Sequence, residues 1–184
     1  MSETVIETGR LLLQTWDELA FKRFHQATNT PAVMRWLGGV MNEEQLAALY
    51  QRHTAFFATH GHGFWIVVRK EDGEVLGFCG IKRVDAQGTG LTGQHEIGWR
   101  FGEESWGKGY AKEAAAASLD YAFATLEAPH VVAFTVEGNS ASWGLMKRLG
   151  MLRRPDLDFI DPRYGEDLNP TIVYRITRLE WKGL

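Results

Sequence analysis

The run Gly102-Glu103-Glu104-Ser105-Trp106-Gly107-Lys108-Gly109-Tyr110-Ala111-Lys112 sets two glycines one residue apart, directly ahead of an alanine-rich, helix-forming stretch. Backbone N–H groups at a helix start have no intrahelical partners, and the helix dipole adds positive character. The chemistry on offer is anion binding. Glycine lets that backbone approach a phosphate closely because no Cβ intervenes. Two nucleotide patterns can be set aside. The first seven positions from Gly102 fit a triphosphate-binding loop, but Gly109 stands where Ser or Thr would hold magnesium. Glu103 and Glu104 would also repel a triphosphate. A dinucleotide pattern begun by Gly107 and Gly109 needs a third glycine where Lys112 stands. Two readings remain: a loop for some other phosphate-bearing ligand, and an ordinary glycine turn that starts a helix. Other reactive side chains offer less. Cys79 is the only cysteine, so the chain has neither a disulfide framework nor a cysteine cluster for zinc. Within Phe78-Cys79-Gly80 it reads as a buried, inert thiol. His25 and His53 fall on helical stripes, and the pair His60 and His62 lacks a third ligand, so no metal is expected.

A strand must deliver the loop and a helix must follow it. Gln94–Phe101 and Ala111–Leu126 have those patterns. Upstream, Arg10–Gln14 reads as a short buried strand, and Asp17 N-caps a helix running to about Asn29. Pro31 and Gly38-Gly39 interrupt the chain before Asn42-Glu43-Glu44-Gln45, which has capping-box spacing. The helix it opens carries Leu46, Leu49, Tyr50, His53 and Phe57 on one stripe and ends at Gly61-His62-Gly63. Phe64–Arg69 and Val75–Arg83 flank Asp72-Gly73 as a hairpin. Downstream, His130–Val136 is a β-branched run suited to a central strand, and Asn139 opens a helix to Leu149 with Gly150 as its stop. Thr171–Arg178 is the last strand. The order is β α α β β β α β α followed by one or two strands, which predicts a mixed sheet with helices on both faces.

Length and composition set the frame. At 184 residues, 45% hydrophobic and 23% charged, the chain predicts one globular domain over residues 1–184. Its net charge of −3 lacks the positive field of a nucleic-acid binder. The acidic N-terminus has no signal-peptide pattern, and no apolar run approaches the ~20 residues of a membrane helix. A reducing compartment, the cytoplasm, is the expected location, with no membrane partner.

Trp106-Gly107-Lys108-Gly109-Tyr110-Ala111 resembles the Arg/Gln-x-x-Gly-x-Gly/Ala signature of the GCN5-related N-acetyltransferases (GNAT). Trp106 replaces the usual Arg or Gln, a variant similar to the RimJ/RimL-type branch, and Lys112-Glu113-Ala114 fits that branch too. Val136-Glu137-Gly138-Asn139-Ser140-Ala141-Ser142-Trp143, followed by Lys147-Arg148-Leu149-Gly150-Met151, resembles the branch's Asn-x-x-Ser helix start and its Leu-Gly-Phe/Met close. Thr8-Gly9-Arg10-Leu11-Leu12-Leu13 is a third match, so the likeness spans roughly residues 8 to 178.

The resemblance implies an α/β (mixed α+β) fold, with a mixed, mostly antiparallel sheet of six to seven strands, a splayed parallel pair and helices on both faces. It implies acetyl-CoA as cosubstrate, without a metal, entering between Gln94–Phe101 and His130–Val136. A β-bulge near Trp99 and Phe101 is expected to free the backbone of Trp99, Arg100 and Phe101 for the pantetheine arm and for an oxyanion. The Trp106–Lys112 loop, through Trp106, Gly107, Lys108, Gly109, Tyr110, Ala111 and Lys112, would hold the pyrophosphate. Lys108, Lys112, Lys147 and Arg148 are either its counter-charges or solvated surface cations. Asn139 can serve as N-cap and pantetheine ligand together.

The implied activity is acetyl transfer to a primary amine, a protein N-terminus or a small molecule, by direct attack in a ternary complex. An α-amine with pKa ~7.7–8.0 is partly neutral at pH 7, whereas a lysine near ~10.4 is not, so base assistance matters most for the latter. Glu96 is the candidate base, acting through water, or else a solvent-facing strand acid. The resemblance places Ser142 to protonate the departing thiolate or to bind the coenzyme near its sulfur; otherwise it simply bonds within Asn139's turn. The implied partners are acetyl-CoA and an amine acceptor, with no nucleic acid and no membrane; a homodimer is among the assemblies allowed. A CoA-binding sensor and an interaction module are the rival readings. The 155–170 loop, with Asp156, Asp158, Asp161, Glu166 and Asp167 opposed within it by Arg163 alone, either draws cationic amines or is a solvated surface loop.

Overall fold

Local signals set the element boundaries across residues 2–183, the part of the chain described in this computed structural model. The Asp17 carboxylate accepts from Ala20 N at 2.8 Å and starts α1 (Glu18–Thr28). Thr30 caps α2 (Pro31–Met34), where Pro31 occupies a first-turn position that needs no N–H donor. Asn42 and Gln45 close a reciprocal capping box at the start of α3 (Glu43–His60), and left-handed Gly61 ends it. The hairpin of β3 (Phe64–Arg69) and β4 (Val75–Arg83) turns at Asp72-Gly73 as expected. Next come β5 (His95–Phe101), α4 (Tyr110–Ala124), β6 (His130–Val136) and α5 (Ser140–Arg148).

Among the described residues the sheet has eight strands, not six or seven. The additional strands are β1 (Thr4–Glu7) and β7 (Leu152–Arg153), which join β2 (Leu11–Gln14) and β8 (Thr171–Thr177) in the order β1-β2-β3-β4-β5-β6-β8-β7. Both are edge strands. β1 has two apolar residues between polar ends, and β7 has only two residues, so neither carries a period-2 signal of its own. A short helix α6 (Arg178–Lys182) follows β8, started by a Thr177–Glu180 capping box.

Alternation along β3 and β4 sends side chains to two cores. Trp65, Cys79 and Ile81 pack with Ala115 and Leu119 of α4, while Ile66 and Phe78 pack with Phe24 of α1 and Leu49 of α3. Among the described residues only β5 and β6 run parallel, and they meet at a single register position, Glu96 opposite Val132. The expected bulge in β5 is not there: β5 pairs with β4 without interruption from His95 to Phe101. The irregularity lies one strand over, where β4 sets Val75 and Gly77 against consecutive Val68 and Val67. The fork therefore arises from divergence of β5 and β6 beyond Glu96.

Candidate active site

Gly107 (φ 72°) and Gly109 (φ 80°) both lie in the left-handed region, and Gly109 is the N-cap of α4. Among the described residues no side chain caps that helix, so its first N–H groups are open to an anion. At the first position of the motif the Trp106 indole N–H donates to the Phe101 carbonyl at 2.9 Å, fastening the loop to the end of β5. A second fastening comes from the N-terminus. Arg10 pairs with Glu113 at 2.7 Å, donates to the Lys108 carbonyl at 3.0 Å and lies over the Tyr110 ring at 4.5 Å. Thr8 donates to the same Glu113 at 2.6 Å. Arg10→Ala is expected to weaken acetyl-CoA binding about fivefold, roughly the worth of one net hydrogen bond, with little change in the unliganded melting temperature. Calorimetric titration of acetyl-CoA checks this.

The loop opens into one continuous cavity of about 1000 Å³ that follows β5 and β6 to α2, α3 and the 155–170 loop. Trp99, Arg100, Phe101, Trp106, Gly107 and Gly109 line it, as do Tyr110, Ala111, Lys112 and Asn139. Among the candidate counter-charges, Lys112 and Arg148 face the cavity, but two others do not. Lys108 turns its ammonium back to the Glu104 carbonyl at 2.6 Å, and Lys147 lies over the Trp143 ring at 4.4 Å. The backbone amide of Lys108 stays within the loop. Across the β6–α5 connection Trp36 rests on Gly138, where any Cβ would come within 2.7 Å of the indole.

Glu96 and Ser142 line the same cavity. Glu96 sits at the one bridge between β5 and β6, largely shielded from solvent, with Lys82 Nζ at 3.4 Å. Burial pushes its carboxyl above the ordinary range, while the Lys82 ammonium pulls it down. Such a carboxylate is a stronger base than a solvated one. Asn139 Oδ1 accepts from Ser142 N at 3.4 Å, so the asparagine does the capping. The half-buried Ser142 hydroxyl makes no hydrogen bond among the described residues and is available to the cavity.

With this geometry in view, comparison with known proteins is decisive. Residues 10–152 match the acetyltransferase (GNAT) domain family. The chain belongs to the GNAT acetyltransferase family. It is similar to the uncharacterized protein YkkB of Bacillus subtilis, 33% identical over 151 residues that make up 82% of this chain and 86% of YkkB. It is similar to an acetyltransferase structure from Agrobacterium tumefaciens, with TM-score 0.78 and 26% identity over 97% of this chain and 96% of that one. A spermidine N-acetyltransferase from Vibrio cholerae, solved with CoA and spermine, shares the fold at TM-score 0.71 and 17% identity, covering 95% and 99% of the two chains.

The far end of the GNAT cleft departs from the sequence expectation. The acids of the 155–170 loop are largely occupied: Asp156 pairs with Arg154, Asp158 with Arg153 and Asp161 with Arg163. Arg153 and Arg154 lie just before the loop, which is why counting within it found one cation. Cations that reach the GNAT cleft from elsewhere were not singled out at all: Arg52 of α3, Lys82 of β4 and the side chain of Arg100. Their positions come from three separate elements, so no local spacing could signal them. His53 also lines the cleft, stacked on Trp16 at 4.9 Å, and burial pulls its pKa down to about 3, leaving it neutral. Cys79 is buried, which pushes its thiol up to about 12 and keeps it inert. No helix among the described residues is long and apolar enough to cross a membrane, and no three His, Cys, Asp or Glu side chains among them are grouped to hold a metal.

Proposed function

We propose that this chain transfers the acetyl group of acetyl-CoA to a primary amine by direct attack in a ternary complex. One observation carries the reading: a single cleft joins the open N-terminus of α4 to a largely shielded carboxylate at the fork of the parallel strand pair. The residues present suit the coenzyme. Free α4 amides and the bare backbone of Gly107 and Gly109 suit a pyrophosphate, with Lys112 and Arg148 as counter-charges. Beyond Glu96 the β6-facing edge of β5 has no strand partner, which suits the amide-bearing pantetheine arm. Acetyl-CoA supplies the electrophile, a thioester carbonyl.

The protein's groups divide the remaining work. Glu96 takes the proton released by the attacking amine, directly or through one water. Ser142 gives its hydroxyl proton to the thiolate sulfur as that group departs and recovers one from solvent. Ser142→Ala is expected to lower kcat about tenfold while changing the acetyl-CoA Kd less than twofold. Equal losses in both would move the residue from proton transfer to binding. Within GNAT, Trp106 and the Asn139-x-x-Ser142 start favour the RimJ/RimL-type branch.

The deciding experiment combines an acetyl-CoA thermal shift with release of free thiol across a panel of amines and N-terminal peptides. A raised melting temperature with thiol released in the presence of at least one amine supports transfer. A raised melting temperature with every amine inert would make the chain a CoA sensor instead.

A further inference from the structure

Arg100 has a place in the cleft that coenzyme binding does not explain. It lies on β5 two and four residues beyond Gly98 and Glu96, so all three side-chain positions share one face of the sheet. That face looks toward α1 and α3, whereas α4 and its glycine loop pack on the other. The guanidinium stands over the rings of Phe78, at 5.3 Å, and Phe24, at 5.7 Å. Its Nε is fully buried without a hydrogen-bond partner, and no Asp or Glu among the described residues forms an ion pair with it. Burial lowers its pKa only to about 10, so it remains a cation at neutral pH.

The surroundings deepen this imbalance. Arg52 adds a second positive charge, and among the described residues it has no ion pair either. The acids nearby are engaged: Glu96 with Lys82, and Asp161 with Arg163. Asp85 lies at the exposed rim. His53, whose Nε2 is likewise buried and unpartnered, is neutral. Burying an unpaired guanidinium is costly, and aromatic faces offset only part of that cost. A planar anion satisfies the rest, because the guanidinium fork matches a carboxylate through two parallel hydrogen bonds.

We propose that Arg100 receives a carboxylate carried by the amine acceptor, so that the preferred acceptor is a small amino acid with a free carboxylate. This rests on the acetyl-transfer reading and narrows it from primary amines in general. Glu96 and Arg100 are four residues apart on one strand, ~13 Å along β5. The amine end can therefore lie toward the fork and the base while the carboxylate lies toward Phe24 and Phe78. A polyamine would place additional positive charge beside Arg52 and Arg100 and is disfavoured. A protein N-terminus offers no carboxylate of its own at this distance except through an acidic side chain.

Matched acceptor pairs test the proposal: amino acids, including ω-amino acids, against the same amines lacking the carboxylate. Two readouts run in parallel, kcat/KM from thiol release and calorimetric Kd for the N-acetylated product of each pair, the second requiring no turnover. For the best pair the wild type is expected to favour the carboxylate member at least tenfold in both, the usual worth of a charge-assisted hydrogen bond. Arg100→Met should bring both ratios close to one, each ratio being taken within one variant so that any change in acetyl-CoA binding cancels. If that variant does not fold, Arg100→Gln and the same titrations decide in the same way. Equal binding of both members of every pair, no binding of any carboxylate product, or a preference that survives loss of the guanidinium would overturn the assignment. Failure of the acetyl-transfer reading looks different: acetyl-CoA leaves the melting temperature unmoved and no amine releases thiol, while the product titrations still report on Arg100.

Discussion

Gly109→Val is expected to abolish the acetyl-CoA thermal shift and to raise the acetyl-CoA Kd at least 100-fold. Gly109 holds φ 80° at the N-cap of α4, a conformation that a β-branched residue adopts only with ~1–3 kcal/mol of strain. The loop relieves the strain by turning away, and the α4 amides lose their common direction. Its Cβ would stand 3.5 Å from Arg10 Nη2, an ordinary contact, so the backbone strain and not a clash carries the effect. Losing two charge-assisted hydrogen bonds to a pyrophosphate is sufficient for the predicted change in Kd. Gly73→Val is the matched control. Gly73 has φ 72° in the β3–β4 hairpin, with no neighbouring atom within 4 Å of a built Cβ, and it does not line the cleft. It should cost similar stability and leave the acetyl-CoA response intact. A normal acetyl-CoA shift in folded Gly109→Val would show that the pyrophosphate lies elsewhere.

Glu96→Gln should reduce kcat roughly 100-fold for amines of high pKa, within the usual range for losing a general base, and much less for α-amines. The pH profile makes this specific. Burial raises the Glu96 pKa and Lys82, 3.4 Å away, opposes the rise. The base works deprotonated, so kcat/KM should climb as pH rises through that elevated pKa. Lys82→Met removes the opposing cation and should move this acid limb to higher pH. In Glu96→Gln the limb should vanish, leaving only the rise that follows deprotonation of the amine itself. An acid limb unmoved by Lys82→Met, or still present in Glu96→Gln, would assign the base to another group.

The parts of the site that lie within one stretch of chain were legible in the sequence. Gly107, Gly109 and the helix after them fall at fixed spacing, and so does Asn139 as the cap of α5. The hairpin at Gly73 and the capping box at Asn42 are local in the same sense. The rest depends on chain segments far apart. Arg10 reaches Lys108 across 98 positions, and Trp36 meets Gly138 across the cleft, so no pattern in either segment announces the contact. The misplaced bulge has a similar origin. The resemblance implied a distorted strand near the site, but the extra residue sits in β4, where Gly77, lacking a Cβ, admits the Arg100 carbonyl, to which a Cβ would come within 2.0 Å. One miss was avoidable: Thr177-x-x-Glu180 is a capping-box signature and predicts α6.

The fork between β5 and β6 also bears on how the folded chain behaves in a crowded solution. It leaves a five-stranded leaf and a three-stranded leaf joined by the Glu96–Val132 bridge, so each leaf has a strand edge with unspent donors and acceptors. Such edges on a protein's outside invite pairing with other chains, and proteins usually blunt them with charge, proline or a covering element. Here the two bare edges face one another within a single fold. Each leaf shields the other from intermolecular zippering while a slender, amide-bearing guest can still enter. A row of unmet hydrogen bonds, ordinarily a hazard of aggregation, is thereby kept as selectivity for the width of what it admits.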